Sequence, residues 1–207
     1  MANYADAKNA FLGILNRKDI TPSQIDTFMQ MGIQRTQRIL RIPAMEKVVQ
    51  FTVDNNWTTG VTVPGDLIEL ISIDNDVGSS DPQKLRRVDL QTAMRKARTP
   101  GIPEVFARNG ANFVIGYKPS PGTLININYF ASLPQLSADA DTNWFTNGAE
   151  DLLIYGALTF SSDYFLDERK AAFEDRYNSI IADLNDMAAR DELSDAAVVP
   201  AYYTDGD

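Results

Sequence analysis

A change of hydrophobic period constrains this chain more than any other feature. Apolar residues recur at helical spacing up to about residue 41, alternate with polar ones from Val48 to Leu133, and return to helical spacing from about 149. A chain ordered in this way must pack the helices of its two ends together and carry a β module inserted between them in sequence. The expected class is α+β: a helical bundle from N- and C-terminal helices with an inserted antiparallel β module.

The longest helical runs come last. Leu153, Ala157, Phe160 and Tyr164 form one apolar face and Leu152, Tyr155 and Leu158 a second, so a helix over 149–165 is expected to be buried on two sides. Asn147, with Glu150 three positions on, reads as its capping box. After the acid-bearing link Leu166-Asp167-Glu168, a helix over 168–190 places Phe173, Tyr177, Ile180, Leu184 and Met187 on a near-heptad seam, antiparallel to the first. Near the N-terminus, Tyr4, Ala7, Phe11 and Leu15 predict a helix over 3–16. Thr21-Pro22 then opens a second, over 22–41, with Ile25, Phe28, Met29, Thr36, Ile39 and Leu40 inward. Arg35, Arg38 and Arg41 read as its solvated basic face.

The β insertion spans about 45–133. Val49, Phe51 and Val53, the turn residues Asp54-Asn55-Asn56, then Val61 and Val63 read as a hairpin. Leu67–Ile73 predicts a strand, with a short helical turn over 66–70 as the alternative, 75–82 a loop, Leu85–Val88 a strand, and Asp89 the cap of a short helix, Leu90–Ala97. Strands over 105–108, 112–117 and 123–130 follow, the first two joined by the tight-turn pair Asn109-Gly110, and the whole module reads as one antiparallel sheet. Trp144 and Phe145 form an aromatic anchor that returns the chain to the bundle. Residues 1–190 thus read as a single domain, and 191–207 as an extended C-terminal arm.

Composition excludes more chemistry than it suggests. The chain has no cysteine and no histidine, which removes thiolate metal sites, the commonest metal ligand and the commonest general base. No stretch approaches a membrane span, so no membrane is expected as a partner, and no glycine-rich run leads into a helix as a phosphate cradle requires. Asp74-Asn75-Asp76 lacks the rest of a calcium loop, and adjacent carboxylates such as Glu150/Asp151 point apart on a helix. The expectation is no enzyme, no cofactor and no metal. A formal net charge of −9 disfavours holding nucleic acid by its phosphates.

Two features read as partner contacts. Lys84, Arg86, Arg87, Arg95, Lys96 and Arg98 form the densest basic cluster, which reads as a docking site for an acidic partner, a solvated basic face or a nucleic-acid contact, the last without interleaved aromatics to stack bases. From Asp191 on there is no basic residue, and Val198, Val199, Tyr202 and Tyr203 form an apolar island around Pro200. Such a segment reads as an arm that orders on a partner or as a solubilising tail.

The order of segments resembles a known family. Val63-Pro64-Gly65-Asp66-Leu67, the hairpin 103–117 followed by Pro119-Ser120-Pro121-Gly122, Leu133-Pro134-Gln135-Leu136-Ser137, Thr142-Asn143-Trp144 and Asp151-Leu152-Leu153-Ile154-Tyr155-Gly156-Ala157-Leu158, then a helix with Phe173 and Tyr177, resemble head-to-tail adaptor (connector) proteins of tailed bacteriophages, of the tail tubular protein A-like, portal-bound kind. The resemblance implies a non-catalytic virion protein in the neck between head and tail, assembled in the host cytoplasm. It implies a homo-oligomeric ring, about twelvefold, that joins the portal protein to a tail nozzle or hub protein, with double-stranded DNA passing through without specific binding. The alternatives are a tail-completion or neck protein further from the portal, a glycan-binding module using Trp57 or Trp144, and a carboxylate-dependent glycan hydrolase.

Overall fold

The computed structural model describes residues 2–76 and 82–194, with 191–194 as helix backbone. It has an α+β fold and divides into two compact units, one of residues up to Pro43 together with those from Pro134, the other Ala44–Leu133.

The first unit is helical: α1 (Tyr4–Leu15), α2 (Pro22–Ile39), α4 (Trp144–Gly148), α5 (Glu150–Tyr164) and α6 (Lys170–Ser194), with α3 belonging to the other unit. Asn3 and Thr21 close capping boxes on α1 and α2, and Pro22 takes the first position of α2, where its missing N–H costs nothing. The centre of the bundle is α5, which packs against α1, α2, α4 and α6 and buries Leu152, Leu153, Ile154, Ala157 and Leu158. One close approach is at glycine: a Cβ on Gly32 of α2 would lie 2.8 Å from the Ala157 backbone nitrogen of α5. Only a residue without a side chain lets the two backbones meet there.

The start of α5 differs from expectation. Asn147 does not cap it, because residues 144–148 form their own short helix, α4, whose capping box uses Asn143 and Thr146. Ala149 then precedes α5 with no side-chain cap. The Asn143 amide also donates to the Pro134 carbonyl at 2.7 Å, so the asparagine is held before α4 on two sides. Phe145, 1% exposed, is the buried half of the aromatic anchor.

Helices α5 and α6 run antiparallel, as Asp163 to Lys170, Thr159 and Glu174 about Arg35, and Gly156 against Tyr177 all show. At 1.5 Å per residue, α5 continues roughly 9 Å from Gly156 back to its start, whereas α6 continues about 25 Å from Tyr177 to Ser194. The second half of α6 therefore outruns its partner. Phe173 and Tyr177 are buried, Ile180 and Leu184 only half so, and Met187 is 63% exposed.

The second unit is a sandwich of two four-stranded sheets and not the single antiparallel sheet that the alternation suggested. In chain order its elements are β1 (Glu46–Thr52), β2 (Gly60–Thr62), β3 (Leu67–Asp76), β4 (Gln83–Lys84), β5 (Arg86–Arg87), α3 (Leu90–Lys96), β6 (Val105–Asn109), β7 (Asn112–Gly116) and β8 (Leu124–Ala131). One sheet has the order β1-β8-β3-β4 and the other β2-β7-β6-β5, in which β5 and β6 run parallel.

The predicted hairpin of β1 and β2 does not form. Instead β1 pairs with β8 and β2 with β7, each in the sheet where its apolar side faces the shared core. That core joins Ile73, Ile125, Ile127 and Tyr129 of one sheet to Val61, Phe106, Phe113 and Ile115 of the other. The outer side of the second sheet, Ala107 and Val114, is covered by Ala93 and Ala97 of the α3 segment. Asn109-Gly110 does form a tight turn, between β6 and β7, with Gly110 at φ 58. Asn75 and Asp76, read as the start of a loop, extend β3, where Asn75 is 1% exposed and its amide donates to the Pro103 carbonyl.

Candidate interaction surfaces

The first surface belongs to the helical unit. Arg35 is not on a solvated face. It makes two hydrogen bonds to the Glu174 carboxylate, one of 2.9 Å, and its guanidinium lies 4.3 Å from the centre of the Tyr177 ring. The pair holds the Glu174 carboxyl below its ordinary range and ties α2 to α6. Arg41 turns back onto the carbonyls of Gln37 and Leu40 at the end of α2.

Beside this tie lies a groove of about 450 Å³ lined by Arg38, Phe160, Asp163 and Lys170 among others. It continues, through the shared Phe160 and Asp163, into one of about 380 Å³ lined by Phe28, Met31 and Tyr164. Met31 is 39% exposed and Tyr164 62%.

The turn after α5 adds a further apolar group. The Asp167 amide donates to the Ser162 carbonyl at 2.8 Å, and Leu166 sits in the left-handed region at φ 53, the arrangement in which helices usually end on glycine. Leu166 is 89% exposed. Next to it Arg169 donates to the Ile14 and Leu15 carbonyls at the end of α1 and to Asp167, whose carboxyl is held down to about 2 by that arginine.

The second surface belongs to the sandwich. Leu85 lies between the edge strands β4 and β5 as the chain changes sheets: its amide donates to the Ile73 carbonyl of the first sheet, and the next amide, of Arg86, donates to Glu104 beside the second. Around this crossing is a cleft of about 490 Å³. Leu70, Ile71, Leu85 and Phe106 give its apolar lining, and Lys84, Arg86 and Arg87 its charge. None of those three side chains makes an ion pair among the described residues.

The structure divides the basic cluster read from sequence. Arg86 and Arg87 line the cleft, whereas Arg95 is in the last turn of α3 and Arg98 follows it, outside the cleft lining. Lys96 stands over the Tyr117 ring at 4.9 Å. Val198, Val199, Tyr202 and Tyr203 lie outside the described residues.

Among the described residues, the carboxylates that depart from their ordinary values, Asp19, Asp66, Asp89, Asp141, Asp167 and Glu174, all shift downward through hydrogen bonds to arginine, lysine or backbone amides. A glycosidase acid needs the opposite shift. Trp57, half-buried, packs against the sandwich core with its indole N–H buried, and Trp144, also half-buried, stacks edge-on against Phe145. Among the described residues no acidic cluster is placed to hold a metal ion, and no helix is long and apolar enough to cross a membrane.

Gly32, the Arg35–Glu174 tie and Leu166 were not singled out by sequence reasoning. A glycine inside an otherwise strong helical stripe was the one available signal for the first. Nothing in the pattern marks Leu166, since its conformation comes from the turn.

The chain is a two-unit α+β protein with apolar grooves on its helical unit and a basic cleft on its sandwich, surfaces of the kind that meet other proteins. Over residues 2–201 it matches the family model described as SU10 adaptor protein, and the chain belongs to that family of phage adaptors, structural connectors of the virion. No curated protein matches it.

Proposed function

We propose that this chain forms a ring, about twelvefold, between the portal vertex and the tail of a tailed phage, with packaged DNA passing through it. In this reading each copy contacts the portal protein, a tail nozzle or hub protein and its neighbouring copies, at the neck of a virion assembled in the host cytoplasm. Residues 1–190 act as one adaptor domain and 191–207 as its arm. Arg86, Arg87, Arg95 and Arg98 on the sandwich and Val198, Val199, Tyr202 and Tyr203 on the arm meet partners. DNA is passed without being gripped, which the net charge of −9 favours. The protein catalyses nothing.

The observation that supports a ring is the pair of unlike apolar surfaces on the helical unit. One is the groove with Met31, Phe160 and Tyr164, with the exposed Leu166 in the turn that follows α5; the other is the far half of α6, with Ile180, Leu184 and Met187. Two different surfaces that cover each other between copies make a head-to-tail contact, and such contacts close into rings when the rotation allows. A two-fold dimer would need one surface that covers itself.

Electron cryo-microscopy of portal-bearing particles mixed with the protein tests the reading. The expected result is a ring of added density on the tail-facing side of the portal. Density only further down the neck would assign the chain to tail completion instead, and particles that acquire none would overturn the proposal.

A further inference from the structure

We infer that the basic cleft of the sandwich seats the segment 195–207 of a neighbouring copy. The inference rests on the assembly proposed above, which supplies the neighbour, and on three properties that the cleft and the segment share.

The first is charge. Lys84, Arg86 and Arg87 stand at the cleft with no ion pair among the described residues, in a chain of net charge −9. The segment carries Asp195, Asp205 and Asp207 and no lysine or arginine. Opposite potentials of this kind favour encounter and fix register.

The second is apolar content. Leu70, Ile71, Leu85 and Phe106 line the cleft, and Ile71 is 42% exposed. The segment places Val198, Val199, Tyr202 and Tyr203 between its acids, so an apolar centre with charged flanks meets an apolar lining that carries basic groups. A nucleic-acid strand would satisfy the charge but would leave the aliphatic lining uncovered.

The third is an open strand edge. β3 runs from Leu67 to Asp76, yet β4 pairs with it only at Asp74 and Asn75, and the Leu85 amide takes the Ile73 carbonyl. Among the described residues no strand pairs with Leu70, Ile71 or Ser72 on that side, because the chain has left for the second sheet at β5. An extended segment laid along those residues would continue the ladder that β4 abandons. Pro200 is tolerated in such a strand, because an added edge strand has one side without partners.

Each copy has one cleft and one segment, so seating in the neighbour fills every cleft of a closed ring and adds a contact independent of the helical surfaces.

The test uses the full chain with Tyr203 replaced by the photo-crosslinking residue benzoylphenylalanine, prepared in light and heavy isotopic forms and mixed with portal-bearing particles. The expected products on irradiation are light–heavy crosslinked peptides that join position 203 to residues 70–72 or 83–87, and their yield falls as salt is raised. Arg86→Glu with Arg87→Glu abolishes them, Asp205→Lys with Asp207→Lys does the same from the other side, and combining the two pairs restores them. Crosslinks confined to single chains, crosslinks that fall elsewhere, or none at all would overturn the inference. Ring density measured on the same samples separates the two readings: rings without these crosslinks sink the seat and leave the adaptor assignment standing, whereas loss of rings in the unsubstituted protein sinks the assembly itself.

Discussion

The hydroxyls of Thr36 and Tyr177 meet at 3.0 Å in the interior of the helical unit, where the two side chains are 1% and 0% exposed. Thr36 has one proton to give, and the Gly32 carbonyl lies 2.9 Å from its oxygen, so Tyr177 is the donor in the pair. Burial pushes the Tyr177 phenol above its ordinary value. Tyr177→Phe leaves the Thr36 oxygen one partner short and is expected to cost about 1–2 kcal/mol. Tyr177→Ala removes the ring that Arg35 covers as well and should cost about 3–5 kcal/mol. Thermal denaturation checks both, with a fall of roughly 2–4 °C per kcal/mol for a chain of this size. A Tyr177→Phe protein that melts with the parent would show that the hydroxyl pair contributes nothing.

Two helical glycines should respond to alanine with opposite signs. In the middle of a helix Gly→Ala gains about 1 kcal/mol of propensity if nothing else changes. A Cβ at Gly13 of α1 meets nothing within 4 Å, so Gly13→Ala is expected to stabilise by up to that amount. At Gly32 the Cβ would lie 2.8 Å from backbone of α5, and neither helix can give way without moving the bundle. Overpacking there costs about 1–3 kcal/mol, which exceeds the propensity gain, and Gly32→Val should be worse still. Paired denaturant melts of the two alanine variants decide the matter, and equal shifts would refute the close approach.

The contrast between what sequence conveyed and what it did not follows from the range of each interaction. Helix existence was legible because Leu153, Ala157, Phe160 and Tyr164 repeat within a single element, and the caps at Thr21 and Asp89 because each acts over three residues. Strand existence was legible for the same reason. Strand partnership was not: Phe51 alternates with its neighbours in the same way whether its strand pairs with β2 or, as found, with Ile125 of β8. Asn147 and Asn143 are both good caps, and the choice fell to Asn143 because its amide also reaches the Pro134 carbonyl. Arg35 looked like a surface charge because Glu174, its partner, lies 139 residues away. The cleft of the sandwich escaped notice because it exists only where the chain changes sheets at Leu85.

The sandwich should be sensitive to alkali through one buried phenol. The Tyr129 hydroxyl donates to Asp66 at 2.9 Å, and burial together with that carboxylate pushes its pKa up to about 12. A folded-state value above that of the unfolded chain means the proton is held more tightly in the fold. The resulting stability is fully present below the ordinary phenol value of about 10 and is lost as pH rises through about 12. Asp66 has the opposite sign: Lys47, 2.6 Å away, is the main cause holding its carboxyl low, so its contribution is present above the unfolded carboxylate value and disappears as acid titrates the folded group. Burial raises the Tyr4 and Tyr177 phenols as well, so ultraviolet titration should show a late phenolate component that Tyr129→Phe reduces, and the variant should lose less stability between pH 10 and 12 than the parent. A titration curve unchanged by the substitution would contradict the assignment.

Leu166 offers a test in which folding and assembly move in opposite directions. Its backbone, at φ 53, is one that a branched side chain occupies at a cost of about 1–2 kcal/mol, and its side chain, 89% exposed, recovers none of that within the chain. Leu166→Gly relieves the backbone but adds freedom to the unfolded state worth about 0.4–1 kcal/mol, so the net stabilisation should be about 0.5–1 kcal/mol. Leu166→Asn, which also tolerates this conformation, should not destabilise either. If the leucine is instead there for a neighbouring subunit, covering it contributes about 1.5–3 kcal/mol per contact, and either variant should weaken attachment to portal-bearing particles by roughly tenfold or more. Melting and particle binding measured on the same two proteins separate the roles. Variants that melt higher and bind as tightly as the parent would remove Leu166 from the interface, and variants that melt lower would mean that its side chain supports the turn in a way its exposure does not suggest.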